Sequence, residues 1–158
     1  MAVVGMLTTG SLAALPAGLA LSHLAWSDLT TRRFSLRLLA GATLAVSVVI
    51  AAEATRRGTI RHVLGALAVL AVVLVSVGLG WLATRGVSFG DVLLVGFAAL
   101  VPAWMSPAAV LLMVGSAFVA AGAVVVARRL RYGQPAHGAA VALGPALLVG
   151  WLVGVSFG

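Results

Sequence analysis

Residues 88–91 read Ser-Phe-Gly-Asp and separate two apolar runs, the second of which begins at Val92. Asp91 stands at the start of that second run, and the chain has only two other acidic residues, Asp28 and Glu53. An aspartate at the centre of a membrane-spanning helix costs about 2.5–3.5 kcal/mol on insertion scales and usually has a function. Asp91 and Asp28 are therefore the first candidates for functional residues.

The composition of the chain is that of an integral membrane protein. Hydrophobic residues make up 63% of the 158 residues and charged residues 8%, against about 45–50% and about 25% in soluble domains. This length allows about five to seven spans of about 20 residues. We predict an all-α, polytopic membrane protein that forms a single transmembrane domain over residues 1–158.

The same composition argues against several classes of function. The net charge of +7 would suggest nucleic acid as a partner of a soluble protein, but here the arginines fall in short loops, where they set topology. No nucleic-acid partner is therefore expected. The chain has no cysteine, which excludes disulfides and thiolate catalysis. Three scattered histidines make a poor metal site, so we expect neither a metal nor another cofactor.

Apolar runs between polar loops predict about six spans. The first begins near the N-terminus, which lacks the positive segment of a signal peptide, and Pro16 is expected to bend it. The four tryptophans fall near span ends or turns and are interpreted as interfacial anchors. The predicted spans are residues 3–26, 38–52, 63–84, 91–101, 108–127 and 138–157.

The arginines predict the orientation of these spans. Seven of them fall in odd-numbered loops, namely Arg32, Arg33, Arg37, Arg85, Arg128, Arg129 and Arg131, and three in an even-numbered loop, namely Arg56, Arg57 and Arg61. The positive-inside rule then puts the odd loops in the cytoplasm and both termini outside it. Asp28 at the end of the first span and Asp91 at the start of the fourth would share the cytoplasmic side, and they can meet if those spans pack together.

Two carboxylates that meet in this way have a known chemistry. They cannot both ionise cheaply and share a proton. In aspartic proteases such a pair activates a water molecule and protonates the substrate carbonyl. The alternative is that each aspartate caps a helix or stabilises its positive N-terminal end. The spacing alone leaves both interpretations open.

Three segments resemble the type IV prepilin peptidases, intramembrane aspartic peptidases of the Gly-x-Gly-Asp type. Residues 28–34 (Asp-Leu-Thr-Thr-Arg-Arg-Phe) are similar to the segment that follows the family's first catalytic aspartate, which commonly reads Asp-x-x-x-x-x-Ile-Pro. Residues 89–94 (Phe-Gly-Asp-Val-Leu-Leu) are similar to its Gly-x-Gly-Asp-x-Lys-Leu segment, and residues 144–147 (Gly-Pro-Ala-Leu) to a Gly-Pro segment in its last helix. In size the chain resembles the short peptidases of tight-adherence (Flp-type) pilus systems.

The resemblance implies an aspartic endopeptidase of the bacterial plasma membrane. It would remove the leader peptide of a prepilin or pseudopilin at the cytoplasmic face, with Asp28 and Asp91 as the catalytic pair. The supporting residues of the resembling motifs are Ser88, Phe89, Gly90, Gly144 and Pro145.

The chain departs from the family pattern at three places. Ser88 replaces the first glycine of Gly-x-Gly-Asp, Leu93 replaces the usual lysine, and Phe34-Ser35 replaces Ile-Pro. Serine fits a turn where φ is negative but is strained where φ is positive. These departures leave open an active divergent enzyme, an enzyme of narrow substrate choice and a relative that has lost activity.

Two other functions fit the same residues. Paired carboxylates in a membrane also mark proton or cation pathways, so a small coupled transporter or channel is the alternative to a peptidase. A non-catalytic membrane partner in pilus assembly is a third. The oligomeric state is open, because a stripe of glycines at 150, 154 and 158 suits either packing within the chain or a dimer contact. Glu53 is expected to pair with Arg56 and Arg57.

Overall fold

The structure is a computed structural model that describes residues 11–31, 35–58, 60–84, 88–132 and 143–158. The described residues form six helices, and three segments, Leu36–Arg56, His62–Gly80 and Pro107–Arg131, are long and apolar enough to cross a membrane. This architecture is consistent with a helical membrane protein. The helices are α1 (Ala14–Thr31), α2 (Leu36–Arg57), α3 (Ile60–Thr84), α4 (Phe89–Met105), α5 (Pro107–Tyr132) and α6 (Leu143–Phe157).

Helix α1 ends later than the sequence predicted. It continues to Thr31, so Asp28 lies in its last turn rather than in a loop. The hydroxyl groups of Thr30 and Thr31 donate hydrogen bonds of 2.9 Å to the carbonyls of Trp26 and Ser27, and no glycine or proline interrupts this turn. The first part of the predicted span, residues 3–10, lies outside the described residues.

The sequence predicted that Pro16 bends the first span. It is the third residue of α1, where the backbone N–H that proline lacks would have no partner within the helix. Its position therefore gives no cause for a bend. Just before this helix, Ser11 Oγ accepts a hydrogen bond of 3.1 Å from the N–H of Ala13, and the Ser11 carbonyl accepts one of 2.9 Å from the N–H of Ala14.

The turn predicted between the fourth and fifth spans is almost entirely helical. Helix α4 includes Pro102, and only Ser106 separates α4 from α5. Ser106 Oγ accepts a hydrogen bond of 3.0 Å from Ala109 N–H, and Pro107 occupies the first position of α5, where proline is favoured. Helix α5 runs on past the predicted end of its span, so Arg128, Arg129 and Arg131 lie on a helix instead of in a loop.

Side-chain contacts at one end of the bundle establish the directions of three helices. Glu53, near the end of α2, accepts hydrogen bonds from the N–H of Leu12, just before α1, and from the indole N–H of Trp104, at the end of α4. The start of α1 and the ends of α2 and α4 therefore meet. The opposite end of the bundle holds the end of α1, with Asp28, and the start of α4, with Asp91.

Helix α6 runs antiparallel to both α1 and α5. A Cβ on Gly18 of α1 would lie 3.0 Å from the Trp151 ring, whereas Asp28, further along α1, contacts Gly144 at the start of α6. Helix α6 thus begins at the end of the bundle that holds Asp28. Helix α2 ends at Gly58, whose φ of +62° and N–H bond to the carbonyl of Ala54 form a helix stop that favours glycine.

Helix α4 lies at the centre of the bundle, and α3 lies on the outer surface of the bundle. Most of α4 is buried, and α4 contacts each of the other helices. Helix α3 packs against α4 and leaves a row of large apolar side chains exposed. A helix with apolar side chains all around suits a hydrocarbon environment. The exposed apolar residues of α3 include Leu64, Leu67, Val72, Val75, Leu79 and Leu82.

The glycine stripe of α6 packs inside the chain. A Cβ on Gly154 would lie 2.6 Å from the Ala109 carbonyl oxygen, and one on Gly150 would collide with the Met113 carbonyl oxygen. These contacts bring the backbones of α5 and α6 together as small residues do in membrane helices. The structure therefore assigns Gly150 and Gly154 to intramolecular packing.

Two of the four tryptophans are not interfacial anchors. Trp104 and Trp151 are 4% and 2% exposed, and both pack in the bundle. Trp151 covers Gly18 of α1, and Trp104 donates its N–H to Glu53. Their places near span ends suggested an interface because the sequence does not show which side of a helix faces the bundle. Trp26 is 69% exposed, as an anchor should be.

Candidate functional site

Asp28 is held against the beginning of α6. Its Oδ2 accepts a hydrogen bond of 2.8 Å from the backbone N–H of Gly144, the second residue of α6. The first N–H groups of a helix have no partner within it, and the helix dipole favours an anion there. The contact joins the two predicted motif segments around residues 28 and 144, which lie more than a hundred residues apart in the chain.

This contact leaves little room for a side chain at position 144. A Cβ there would lie 3.0 Å from both Asp28 Oδ2 and the Cα of Ala25, and 3.1 Å from Asp28 Cβ. Ala25 presents backbone, which cannot rotate away as a side chain can. Pro145 follows in the first turn of α6, where the backbone N–H that proline lacks would have no partner within the helix. The Gly-Pro pair thus lets α6 start directly against Asp28.

Asp91 forms a capping box with Ser88. The Ser88 Oγ accepts a hydrogen bond of 3.1 Å from Asp91 N–H, and Asp91 Oδ2 accepts one of 2.7 Å from Ser88 N–H. Two N–H donors at the start of α4 are thereby satisfied. The capping role that the sequence left open for Asp91 is therefore present. Ser88 has a φ of −83°, so serine is unstrained where the family has glycine.

The remaining residues of this motif start α4. Phe89 is its first residue and is 59% exposed, and Gly90 is partly buried beside it. Leu93 is partly buried and packs on the apolar core. An apolar side chain therefore fills the position at which the resembling family carries a lysine.

The structure places Asp28 and Asp91 at the same end of the bundle, on helices that contact each other. Both are partly buried. Each uses Oδ2 for a backbone N–H, and within the described residues the other oxygen of each carboxylate has no hydrogen-bond partner. One oxygen of each acid is thus held in place while the other can bind water or a substrate.

An apolar groove lies beside Asp28, between α1, α5 and α6. Leu29 and Pro145, the neighbours of Asp28 and Gly144, form part of its wall, and Arg128 is its one charged residue. Such a groove suits an apolar segment with an anionic or polar group at one end. The groove is lined by Leu29, Ala120, Ala121, Val124, Arg128, Pro145, Ala146 and Val149.

Glu53 lies inside the bundle, whereas the sequence predicted an exposed residue beside Arg56 and Arg57; the Arg57 side chain lies outside the described residues. It is 5% exposed, and its two oxygens accept from Trp104 and Leu12, so the carboxylate lies inside the bundle rather than beside exposed Arg56. The residue lies one turn before the end of α2, on the side that faces α1 and α4. The sequence did contain a signal for this placement. Glu53 is one of only three acidic residues, and an acid next to an apolar run needs a partner.

The described residues hold no group of three or more histidine, aspartate or glutamate side chains that could bind a metal ion. His23 and His62 are exposed on different helices, and His137 lies outside the described residues. The candidate site therefore consists of Asp28 and Asp91 with their backbone donors and the adjacent groove.

Comparison with protein-family models, with curated proteins and with solved structures finds no match to this chain.

Proposed function

We propose that this protein is an intramembrane aspartic endopeptidase that removes the leader peptide of a prepilin or pseudopilin. Asp28 and Asp91 would share the work of activating water and protonating the scissile carbonyl. The observation that carries the proposal is their placement on contacting helices at one end of the bundle, with Asp28 fixed by Gly144. The residues involved belong to all three segments that resemble the prepilin peptidases.

The position of the carboxylates within their helices favours a peptidase over a transporter. Asp28 is in the last turn of α1 and Asp91 in the first turn of α4, so both lie near a helix end. Coupled transporters usually bind their ions near the bilayer midplane. Carboxylates at a helix end suit a substrate that is cut where its own helix leaves the membrane.

The groove beside Asp28 fits the apolar part of such a substrate. Apart from Arg128 its wall is apolar, which matches a hydrophobic helix. Leu29 is part of that wall, so the groove extends to the residue next to Asp28. A prepilin helix in this groove would carry its leader junction toward the two aspartates.

We further propose that all six helices cross the bacterial plasma membrane, with the Asp28 end in the cytoplasm and both termini outside. The arginine distribution supports this orientation. The 17 residues of α4 and the 15 of α6 span about 25 and about 22 Å at about 1.5 Å per residue, less than the hydrocarbon thickness of about 30 Å. Short helices of this kind are accommodated by local thinning of the bilayer.

Coexpression with a candidate prepilin tests the proposal. Leader removal, followed by the size of the pilin, should occur with the wild type and fail with Asp28→Asn and with Asp91→Asn. Asparagine is a sharp probe at position 91 because its side-chain oxygen can still accept the Ser88 N–H, so the cap survives while the acid is lost. Cleavage by both variants would show that the two aspartates are not the catalytic pair.

A further inference from the structure

Glu53 is the most enclosed acid among the described residues, and it lies at the end of the bundle away from the two aspartates. It is 5% exposed, and Trp104 beside it is 4% exposed. A carboxylate buried without hydrogen bonds is strongly unfavourable, and here it has two donors: the Trp104 indole at 3.0 Å and the Leu12 backbone N–H.

One of these donors lies just before the helix that carries Asp28, and the other lies on the helix that carries Asp91. Leu12 precedes α1, which ends with Asp28, and Trp104 is near the end of α4, which begins with Asp91. Glu53 itself belongs to α2, so one carboxylate joins three helices. A fourth helix, α3, joins this cluster through His62, whose ring packs edge to face on the Trp104 ring with 5.4 Å between the ring centroids.

We propose that Glu53 is a positioning residue, which sets the relative placement of α1 and α4 and through them the approach of Asp28 to Asp91. The catalytic half of this inference rests on the proposed function. Glu53 does not reach the reacting atoms. It acts through the two helices, whose far ends carry the acids.

The length of α4 explains how the Glu53–Trp104 contact at one end of the helix can affect the position of Asp91 at the other end. Thirteen residues separate Asp91 from Trp104, which corresponds to about 20 Å of helix at about 1.5 Å per residue. A tilt of about 5° at the Trp104 end therefore displaces Asp91 by about 1.7 Å. A displacement of about 1 Å in a catalytic group can cost about 100-fold in rate.

The first experiment measures helix placement without any substrate. The chain has no cysteine, so spin labels can be placed on Leu29→Cys and Phe89→Cys, near the two aspartates, and their distance distribution recorded in the full-length protein. Glu53→Leu should shift or broaden the distribution. Glu53→Gln should shift it less than Glu53→Leu, because the amide oxygen can keep one of the two hydrogen bonds while the amide NH2 group faces the other donor. Ala52→Leu, at an exposed neighbour on α2, is the matched control and should leave the distribution unchanged.

The second experiment measures leader cleavage by the unlabelled variants. Glu53→Leu and Trp104→Phe should each lower kcat about 10- to 100-fold with KM within about threefold of wild type, and Glu53→Gln, which keeps one acceptor oxygen, should lower kcat less than Glu53→Leu. The double variant Glu53→Leu with Trp104→Phe should be no worse than Glu53→Leu alone, because Glu53→Leu already removes the hydrogen bond to Trp104.

The two experiments separate failure of this inference from failure of the proposed function. An unchanged spin-label distribution in both Glu53→Leu and Trp104→Phe overturns the positioning role. Loss of cleavage through a raised KM, or a kcat of Glu53→Gln no higher than that of Glu53→Leu, overturns it as well. If the distribution responds as expected while the wild-type protein cleaves no prepilin, the positioning role of Glu53 in the bundle stands and the peptidase proposal fails.

Discussion

Replacement of Gly144 by alanine tests the contact on which the candidate site is built. The new Cβ would lie 3.0 Å from Asp28 Oδ2 and from the Cα of Ala25, which is closer than an ordinary van der Waals contact. Helix α6 must then either accept the overlap or move away from α1 and lengthen the 2.8 Å bond between Gly144 N–H and Asp28.

The energetic cost of the two responses is similar. Overpacking a well-packed site costs about 1–3 kcal/mol, and a hydrogen bond to a charged group contributes about 1.5–3 kcal/mol. The gain from replacing a helical glycine is at most about 0.5–1 kcal/mol. We therefore expect Gly144→Ala to lower the free energy of unfolding by about 1–2 kcal/mol, and to lower the rate of leader cleavage because Asp28 loses its fixed partner.

The measurement is unfolding in mixed micelles with increasing SDS, followed by the circular dichroism of the helices. Gly115→Ala is the matched control, since a Cβ at Gly115 of α5 would meet nothing within 4 Å and should be neutral or slightly stabilising. If Gly144→Ala proves as stable as Gly115→Ala, the close approach of α6 to Asp28 is refuted.

Three further predictions concern the cap of α4, the α5–α6 contact and the orientation. Ser88→Ala should lower the free energy of unfolding by about 0.5–2 kcal/mol in the same assay, whereas Ser88→Gly should cost only a few tenths; equal losses would contradict the capping box. Gly154→Ala should destabilise the protein by about 1–3 kcal/mol without changing its oligomeric state on sizing, while Gly122→Ala, with open space around its Cβ, should not destabilise it. Reporter fusions at Arg32 and Arg131 should both give a cytoplasmic signal, and an extracytoplasmic signal at both would reverse the proposed orientation.

The sequence predicted the helical membrane character and the approximate position of each helix. Apolar composition and loop arginines are strong signals, because a membrane requires long apolar helices with polar residues at their ends. Helix ends were predicted less well. Thr30 and Thr31 suggested a loop, yet their hydroxyls bond to helix carbonyls, and Pro102 and Pro107 suggested a turn although helices accept both.

The contacts between helices could not be read from single residues. Gly144 was noted only as part of a resembling motif, and its role appears when α6 is seen to start against Asp28. Glu53 was assigned to its sequence neighbours Arg56 and Arg57, because a sequence shows local spacing but not which face of α2 is turned inward. Its partners, Leu12 and Trp104, are 41 and 51 residues away in the chain.

Cross-linking of positions 28 and 91 tests the central claim most directly. In the cysteine-free chain, Asp28→Cys combined with Asp91→Cys should be cross-linked by a short bifunctional thiol-reactive reagent in native membranes. Asp28→Cys combined with Ala52→Cys, an exposed position beside Glu53 at the opposite end of the bundle, should not. That result would show that the two acidic positions meet in the folded protein. Equal failure of both pairs, while each single cysteine reacts readily with a monofunctional thiol reagent, would contradict the shared site.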